Sequence, residues 1–221
     1  MSLFKTLSIL KNHGFNPQNI LDIGACRGNW SDEVRCIFND ANFLLIEAID
    51  YDELKNKCKY YPKYNYINAL LFDKITDIEW YEERNTGDSI FKENTNHFKN
   101  TKPIIRKTTT LNELLKGNNT VFDLIKIDCQ GAEIPILKGG SDIVSNTSFI
   151  ILELPFVGEY NKNIPNFLSH IKFMDDIGFI PYDIVEFHYI NNFLIQIDIM
   201  FINKNNNLNF EIQKMINNLG S

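Results

Sequence analysis

No apolar run in this chain of 221 residues reaches the roughly 18 residues that a membrane-spanning helix requires. The N-terminal stretch MSLFKTLSILKNHGF is interrupted by Lys5, Lys11 and His13, where a secretory signal would keep an unbroken apolar centre and a cleavage site. Basic clusters are lacking as well. The formal net charge is -6, and lysine and arginine are scattered among acids, which argues against a nucleic-acid partner because phosphate binding depends on grouped cations. The four cysteines, Cys26, Cys36, Cys58 and Cys129, form no CxxC pair and no metal-type spacing, so buried reduced thiols are expected in place of zinc ligands or disulfides. These absences read as a soluble, cytoplasmic protein. Internal repeats and a dividing linker are also missing, and a chain of this length buries roughly 70% of its unfolded surface, so a single domain over 1–221 is expected.

What the chain does have is a recurrence of short apolar stretches: NILDIG, NFLLIEA, YNYINALLF, FDLIKID and FIILELP. Strands that read as continuous apolar runs are buried on both faces, the mark of a parallel sheet covered by helices. Helical spacing lies between them at 30–38, 51–58 and 111–116, and earlier at 3–12. The 111–116 segment is entered through Thr110 with Glu113 three residues later, a capping-box pattern. The class is α/β, with right-handed crossovers and an open doubly wound sheet. A helix over 165–177 leads into GFIPYDIVEF, and after the short polar link HYINN comes FLIQIDIMFINK. Two strands joined so closely must run antiparallel, which places one reversed strand at the end of the sheet. The asparagine-rich NKNNNLNF reads as a polar terminal turn. Residues 73–107 are polar and longer than an ordinary connection, with DIEWYEER as a candidate extra strand, and read as an insertion on the substrate side.

In such a sheet, ligands sit outside the carboxyl ends of the strands, beside the first βα turn. That turn lies in LDIGACRGNW. A dinucleotide fold needs GxGxxG so that a pyrophosphate can approach the backbone; here Cys26 stands at the second glycine and Asp22 precedes the first. A carboxylate disfavours a pyrophosphate and favours a cation. S-adenosylmethionine fits, with its sulfonium and its zwitterionic methionine end. Glu47, at the end of the second strand about 20 residues on, stands where a carboxylate holds a ribose diol. Asp128 and Glu153 close two later apolar strands, and an ionised acid there is costly unless it is paired or faces a site. Glu133 opens the following helix, where it would also serve as a cap.

Taken in order from about Asn19 to Pro155, the segments ILDIGACRGNW, LLIEAID, TTTLNELL, FDLIKIDCQGAEIPILKGG and FIILELP resemble the FkbM-type branch of the class I S-adenosylmethionine-dependent methyltransferases. The resemblance implies a Rossmann-like, mostly parallel seven-stranded sheet with its last strand antiparallel and helices on both faces. It also implies O-methyl transfer to a hydroxyl of a small molecule or sugar, such as a surface glycan or secondary metabolite. Carried over residue by residue, it puts Asp22, Gly24, Ala25, Cys26 and Gly28 at the methionine end, Glu47 at the ribose, Asn68 and Ala69 at the adenine edge, and Asp128 beside the cofactor. Cys26, Ala48 and Gln130 depart from the family's usual Asn, Pro and Glu, and the last removes a carboxylate beside the reacting centre.

The implied in-line methyl transfer needs an aligned acceptor and a base for its proton. Asp128 is the first candidate, with Glu133 and His97 also placed among the catalytic residues and His188 as a further imidazole. Ser89 and Arg106 are candidates for the acceptor side. A divalent metal on Asp128, Glu133 and Glu153 is the other route, with no metal ligand assigned. Two other classes compete: an NAD(P)-dependent oxidoreductase on a similar sheet, which lacks the middle glycine, and a non-catalytic cofactor-binding module. The acceptor's identity and the oligomeric state, a homodimer included, are left open by the sequence.

Overall fold

The computed structural model describes residues 2–219. In chain order, α1 (Leu3–Asn12) precedes β1 (Asn19–Ile23), α2 (Asn29–Arg35), β2 (Asn42–Glu47), α3 (Asp52–Tyr60) and β3 (Tyr64–Asn68). The insertion contributes β4 (Asp77–Trp80) and β5 (Ile104–Lys107), followed by α4 (Leu111–Leu114), β6 (Leu124–Ile127), α5 (Glu133–Gly139), α6 (Ser141–Val144) and β7 (Phe149–Pro155). The chain closes with α7 (Phe167–Asp176), β8 (Phe179–Ile190), β9 (Phe193–Asn203) and α8 (Asn207–Asn217).

Seven strands form one sheet in the order β3-β2-β1-β6-β7-β9-β8. Every residue of β6 and β7 is buried, as a strand covered on both faces requires. The sheet is parallel except for β9, which runs antiparallel to both β7 and β8. The reversed strand is therefore the last in sequence, and it lies inside the edge that β8 forms. Thr110 caps α4 as its spacing predicts, accepting from the Glu113 amide at 3.1 Å.

Three local expectations need correction. Strand β8 continues through His188, Tyr189 and Ile190, so only Asn191 and Asn192 turn the chain. Both have left-handed backbone, with φ of 48° and 67°, the geometry of a two-residue type I′ hairpin. Because glycine takes the second position of such a turn without strain, Asn192→Gly should raise stability by about 0.5 kcal/mol, read as a higher urea midpoint at unchanged slope. The asparagine-rich tail is not a simple turn: Asn206 caps α8, its side chain accepting from the Leu208 amide at 2.9 Å. The four thiols are free, but none is fully buried. Cys36 is exposed at the end of α2, its thiol donating to the Asp32 carbonyl.

Candidate functional site

The parallel strands β1, β2, β3 and β6 all end on one edge of the sheet, and a cleft of about 380 Å³ opens there. Its floor depends on Gly24. With φ of +77°, this residue lets the first loop pass against β6, where a Cβ would stand 1.9 Å from the Asp128 carbonyl oxygen. The amides of Gly24 and Ala25 both donate to the Ile46 carbonyl, at 2.9 and 3.2 Å, and tie the loop to β2. Cys26 then takes a left-handed φ of 49° and donates its amide to Glu47 Oε2 at 2.7 Å, while Glu47 Oε1 accepts from the Ile49 amide at 2.8 Å. One carboxylate thus holds two loops together at the cleft wall. Burial pushes the Glu47 carboxyl above its ordinary pKa, against the pull of these backbone donors.

Of the residues expected at the cofactor, Gly24, Cys26, Glu47, Ala69 and Asp128 line the cleft. The others shape it from behind. Asp22 is fully buried, with Oδ2 accepting from the Ser31 hydroxyl at 2.7 Å and Oδ1 without a partner among the described residues. Burial raises its pKa, opposed by the Lys126 ammonium. Gly28 starts α2 with a left-handed φ of 73° and packs toward Leu54 and Leu45, not toward the cleft. Asn68 donates to the carbonyls of Glu47 and Ala48 at 2.9 and 3.0 Å and so fixes the end of β2. Tyr51, buried beside Glu47 with an unpartnered hydroxyl, supplies an aromatic wall that sequence spacing did not single out.

A second group of polar residues sits on the ends of β6, β7 and the β8–β9 hairpin. Lys126, buried within an otherwise apolar strand, reaches Asp128 Oδ2 at 2.7 Å. Burial opposes charge on both, yet their attraction dominates: the Asp128 carboxyl is held below the usual carboxylate range and the Lys126 ammonium above its ordinary value. Gln130 Nε2 bridges Asp128 Oδ1 at 3.3 Å and Glu153 Oε2 at 2.6 Å, and Gln196 Nε2 donates to the same Glu153 oxygen at 3.0 Å. Burial, reinforced by Asp128 and Asp198, pushes the Glu153 carboxyl well above its ordinary pKa. His188 lines the cleft and hydrogen-bonds Asp198 Oδ1 through Nε2 at 3.0 Å, a bond that raises the imidazole's pKa. Lys126, Gln196 and Asp198 were not read from the sequence. For Lys126 a signal existed, a lysine two residues before Asp128 on the same face of an apolar strand.

Two expected catalytic residues lie elsewhere. His97 is exposed on the short 3-10 turn Asn96–Phe98 and is not among the cleft residues, because that turn is anchored outward by its neighbour Phe98, which is buried. Glu133 is fully buried, and its Oε1 accepts from the amides of Cys129 and Gly131 at 3.0 and 3.2 Å, while its Oε2 faces His170 at 3.7 Å. It braces the turn after β6 and lines no part of the cleft. The acids Asp128, Glu133 and Glu153 therefore do not converge as a ligand set. Among the described residues, Glu153, His188 and Asp198 are the group whose ligand atoms fall within 4.8 Å of one another.

The insertion folds over the site. Its strands β4 and β5 pair antiparallel, and Trp80, Asn85, Thr86, Asp88 and Ile90 face the cleft. Ser89 donates its hydroxyl to the Gln130 carbonyl at 3.1 Å, and Arg106 reaches the Ala48 carbonyl at 2.7 Å, so these two side chains fasten the insertion to the sheet edge without lining the cleft.

The methyltransferase FkbM domain matches residues 22–181 of the chain. An FkbM methyltransferase from Methylobacillus flagellatus KT has a similar fold, with a TM-score of 0.55 and 12% identity over 82% of this chain; the chain spans only 43% of that protein. The 1,6-didemethyltoxoflavin-N1-methyltransferase of Burkholderia thailandensis, solved with S-adenosylhomocysteine, gives 0.51 and 10% identity over 91% of this chain and 78% of its own. The magnesium protoporphyrin IX methyltransferase of Synechocystis PCC 6803, solved with S-adenosylmethionine, gives 0.52 and 9% identity over 90% and 77% respectively. At these identities the solved structures establish the fold. Among curated proteins none matches the chain.

Proposed function

Because the chain belongs to the FkbM methyltransferase family, we propose that it moves a methyl group from S-adenosylmethionine to a hydroxyl of a small molecule or sugar in the cytoplasm. The observation that carries this reading is the first-loop cleft, in which Glu47 closes the wall beside Gly24 and Cys26 while apolar Ile49, Ala69 and Leu70 line the same cleft. A buried acid beside apolar contacts suits a ribose diol and an adenine ring. The close passage that the glycine turn permits and the ionised Asp128 suit a positively charged, zwitterionic methionine end. Tyr51 Oη, which lines the cleft and is buried without a partner among the described residues, is a polar atom that this pocket leaves unsatisfied. The bound cofactors of the Burkholderia and Synechocystis enzymes support the same assignment. When bound, the cofactor supplies an electrophilic methyl on a sulfonium whose carbon–sulfur pair returns to sulfur.

The chain's own contribution is to orient the acceptor and take its proton. Trp80, Thr86 and Ile90 of the insertion and His188 and Gln196 of the hairpin line the same cleft, and we place the acceptor among them. A hydroxyl acceptor suits the polar groups on that side, which can hydrogen-bond its oxygen and take the proton it must lose. No helix among the described residues is long and apolar enough to cross a membrane.

Titration calorimetry with S-adenosylhomocysteine and with NAD tests the reading. We expect the first to bind and the second not; binding of NAD alone would replace the methyltransferase by an oxidoreductase. In the same assay Glu47→Gln should weaken S-adenosylhomocysteine by about 10- to 100-fold, since a neutral amide accepts less strongly from the diol. An unchanged affinity would remove Glu47 from the ribose.

A further inference from the structure

We propose that His188 is the general base that takes the acceptor hydroxyl's proton, with Asp198 as its positioning residue. The proposal rests on the O-methyltransferase reading and assigns the proton-handling group within it.

Asp128, the base expected from sequence, is the wrong group for the task. Its carboxylate is engaged by Lys126 at 2.7 Å and by Gln130 at 3.3 Å, and a carboxylate stabilised in its charged form is a weak proton acceptor. Glu153 is no better placed, being only 8% exposed, with two amides on Oε2 and its other oxygen directed at an imidazole 3.8 Å away. His188 differs from both. Its side chain is 36% exposed and lines the cleft, and its one hydrogen bond among the described residues goes to a carboxylate that is 6% exposed.

That bond settles the chemistry of the ring. A neutral imidazole whose Nε2–H donates to Asp198 carries its lone pair on Nδ1, so the carboxylate fixes the tautomer and stabilises the imidazolium that forms. The fold supplies the pairing through the hairpin. Glu153 stands opposite Asp198 in the β7–β9 ladder, His188 stands opposite Gln196 in the β8–β9 ladder, and a register shift between His188 and Tyr189 bends β8 at this point. Bulges of this kind re-aim side chains beside functional sites. The charged groups facing the ring are Glu186 on its own strand, Asp198 on β9, Glu153 on β7, and Asp128 with Lys126 on β6.

In the step itself the acceptor O–H bond breaks, its proton passes to Nδ1, and the oxygen keeps the electron pair. An oxygen lone pair would form the new bond to the methyl carbon as the methyl–sulfur bond breaks, its electron pair going to sulfur to leave a neutral thioether, and the imidazolium charge is balanced by Asp198. The proton leaves for solvent after the product departs.

Methyl transfer from tritiated S-adenosylmethionine to methyl β-glucoside, methyl α-mannoside and catechol tests the assignment. His188→Asn should lower kcat by about 100- to 10,000-fold, with S-adenosylhomocysteine affinity within threefold of wild type. Because the base works unprotonated and its pKa is raised, kcat/KM should fall on the acid side below a midpoint above that of free histidine. Asp198→Asn should move that limb to lower pH. Imidazole titration by NMR, in protein without cofactor or acceptor, should show the same downward shift of His188 and needs no turnover. Activity of His188→Asn within threefold of wild type overturns the proposal, as does an unmoved His188 titration in Asp198→Asn. Loss of activity on chelation, restored by Mg²⁺ or Mn²⁺, overturns it too and assigns Glu153, His188 and Asp198 to a metal. Failure of the wild type to bind S-adenosylhomocysteine is a different result and sinks the methyltransferase reading.

Discussion

Gly24→Ala is expected to cost about 3 kcal/mol or more of stability and to abolish measurable cofactor affinity. Two causes act together. A left-handed backbone costs a residue with a Cβ about 1–2 kcal/mol. The added carbon would also stand 1.9 Å from the Asp128 carbonyl oxygen, deep inside any permitted contact. Relief would require β1 and β6 to part, yet the Asp128 amide donates to the Ile23 carbonyl at 3.0 Å immediately beside the clash. Urea unfolding gives the stability change, and calorimetry with S-adenosylhomocysteine gives the affinity. A variant that unfolds within 0.5 kcal/mol of wild type, on the order of a surface substitution, would mean that the loop does not pass as close to β6 as described. Gly28→Ala is the useful comparison. Its φ of +73° carries the same backbone strain, but the added carbon meets only flexible ends, Leu54 Cδ1 at 3.0 Å and Leu45 Cδ2 at 3.3 Å, so a smaller loss of stability is expected.

Lys126→Met should destabilise the protein by about 3–5 kcal/mol, the usual consequence of removing one partner of a buried ion pair. Lys126 is 6% exposed and its ammonium offsets the buried carboxylate of Asp22, the half-buried carboxylate of Asp128 and the buried Asp198. Methionine keeps the volume and loses the charge. The carboxylates left behind would titrate higher in the folded than in the unfolded chain, and such groups stabilise the fold at low pH and lose that contribution as pH rises through their folded values. The deficit relative to wild type should therefore be largest near neutral pH and shrink on acidification, when both proteins are followed by urea unfolding across that range. A constant deficit would point to lost packing against Trp30, whose ring lies 5.9 Å from the ammonium, and not to charge. Adding Asp128→Asn to Lys126→Met should recover part of the loss, since it removes one of the stranded charges.

Much of this arrangement was legible in the order of residues. The apolar runs around Leu21, Leu45, Ile125 and Ile151 give buried parallel strands because a strand covered on both faces has no polar side to display. Asp22, Gly24 and Glu47 could be read as one unit because strands β1 and β2 are joined by a single short crossover, which makes their ends neighbours. The roles of Gly28, Asn68 and Glu133 were less legible. Whether a residue at the end of a strand or the start of a helix faces a ligand or braces a turn depends on backbone and side-chain rotations that nothing in the spacing encodes. His97 misled for a related reason: an imidazole in a polar insertion looks available, but the insertion turns it outward.

The sequence by itself determined the α/β class, the place of the first glycine turn and the acid that closes the cleft beside it, because these depend on local periodicity and on two strands joined by one short crossover. Only the tertiary structure decided which acids are free to act. Asp128 is neutralised by Lys126, Glu133 is walled in beside His170, and His188 gains Asp198 through a hairpin and Glu153 through the adjacent ladder. The physical reason is that a carboxylate's or imidazole's reactivity is set by the charges and donors within a few ångströms. Those neighbours come from strands far apart in the chain, brought together only when the sheet closes its order.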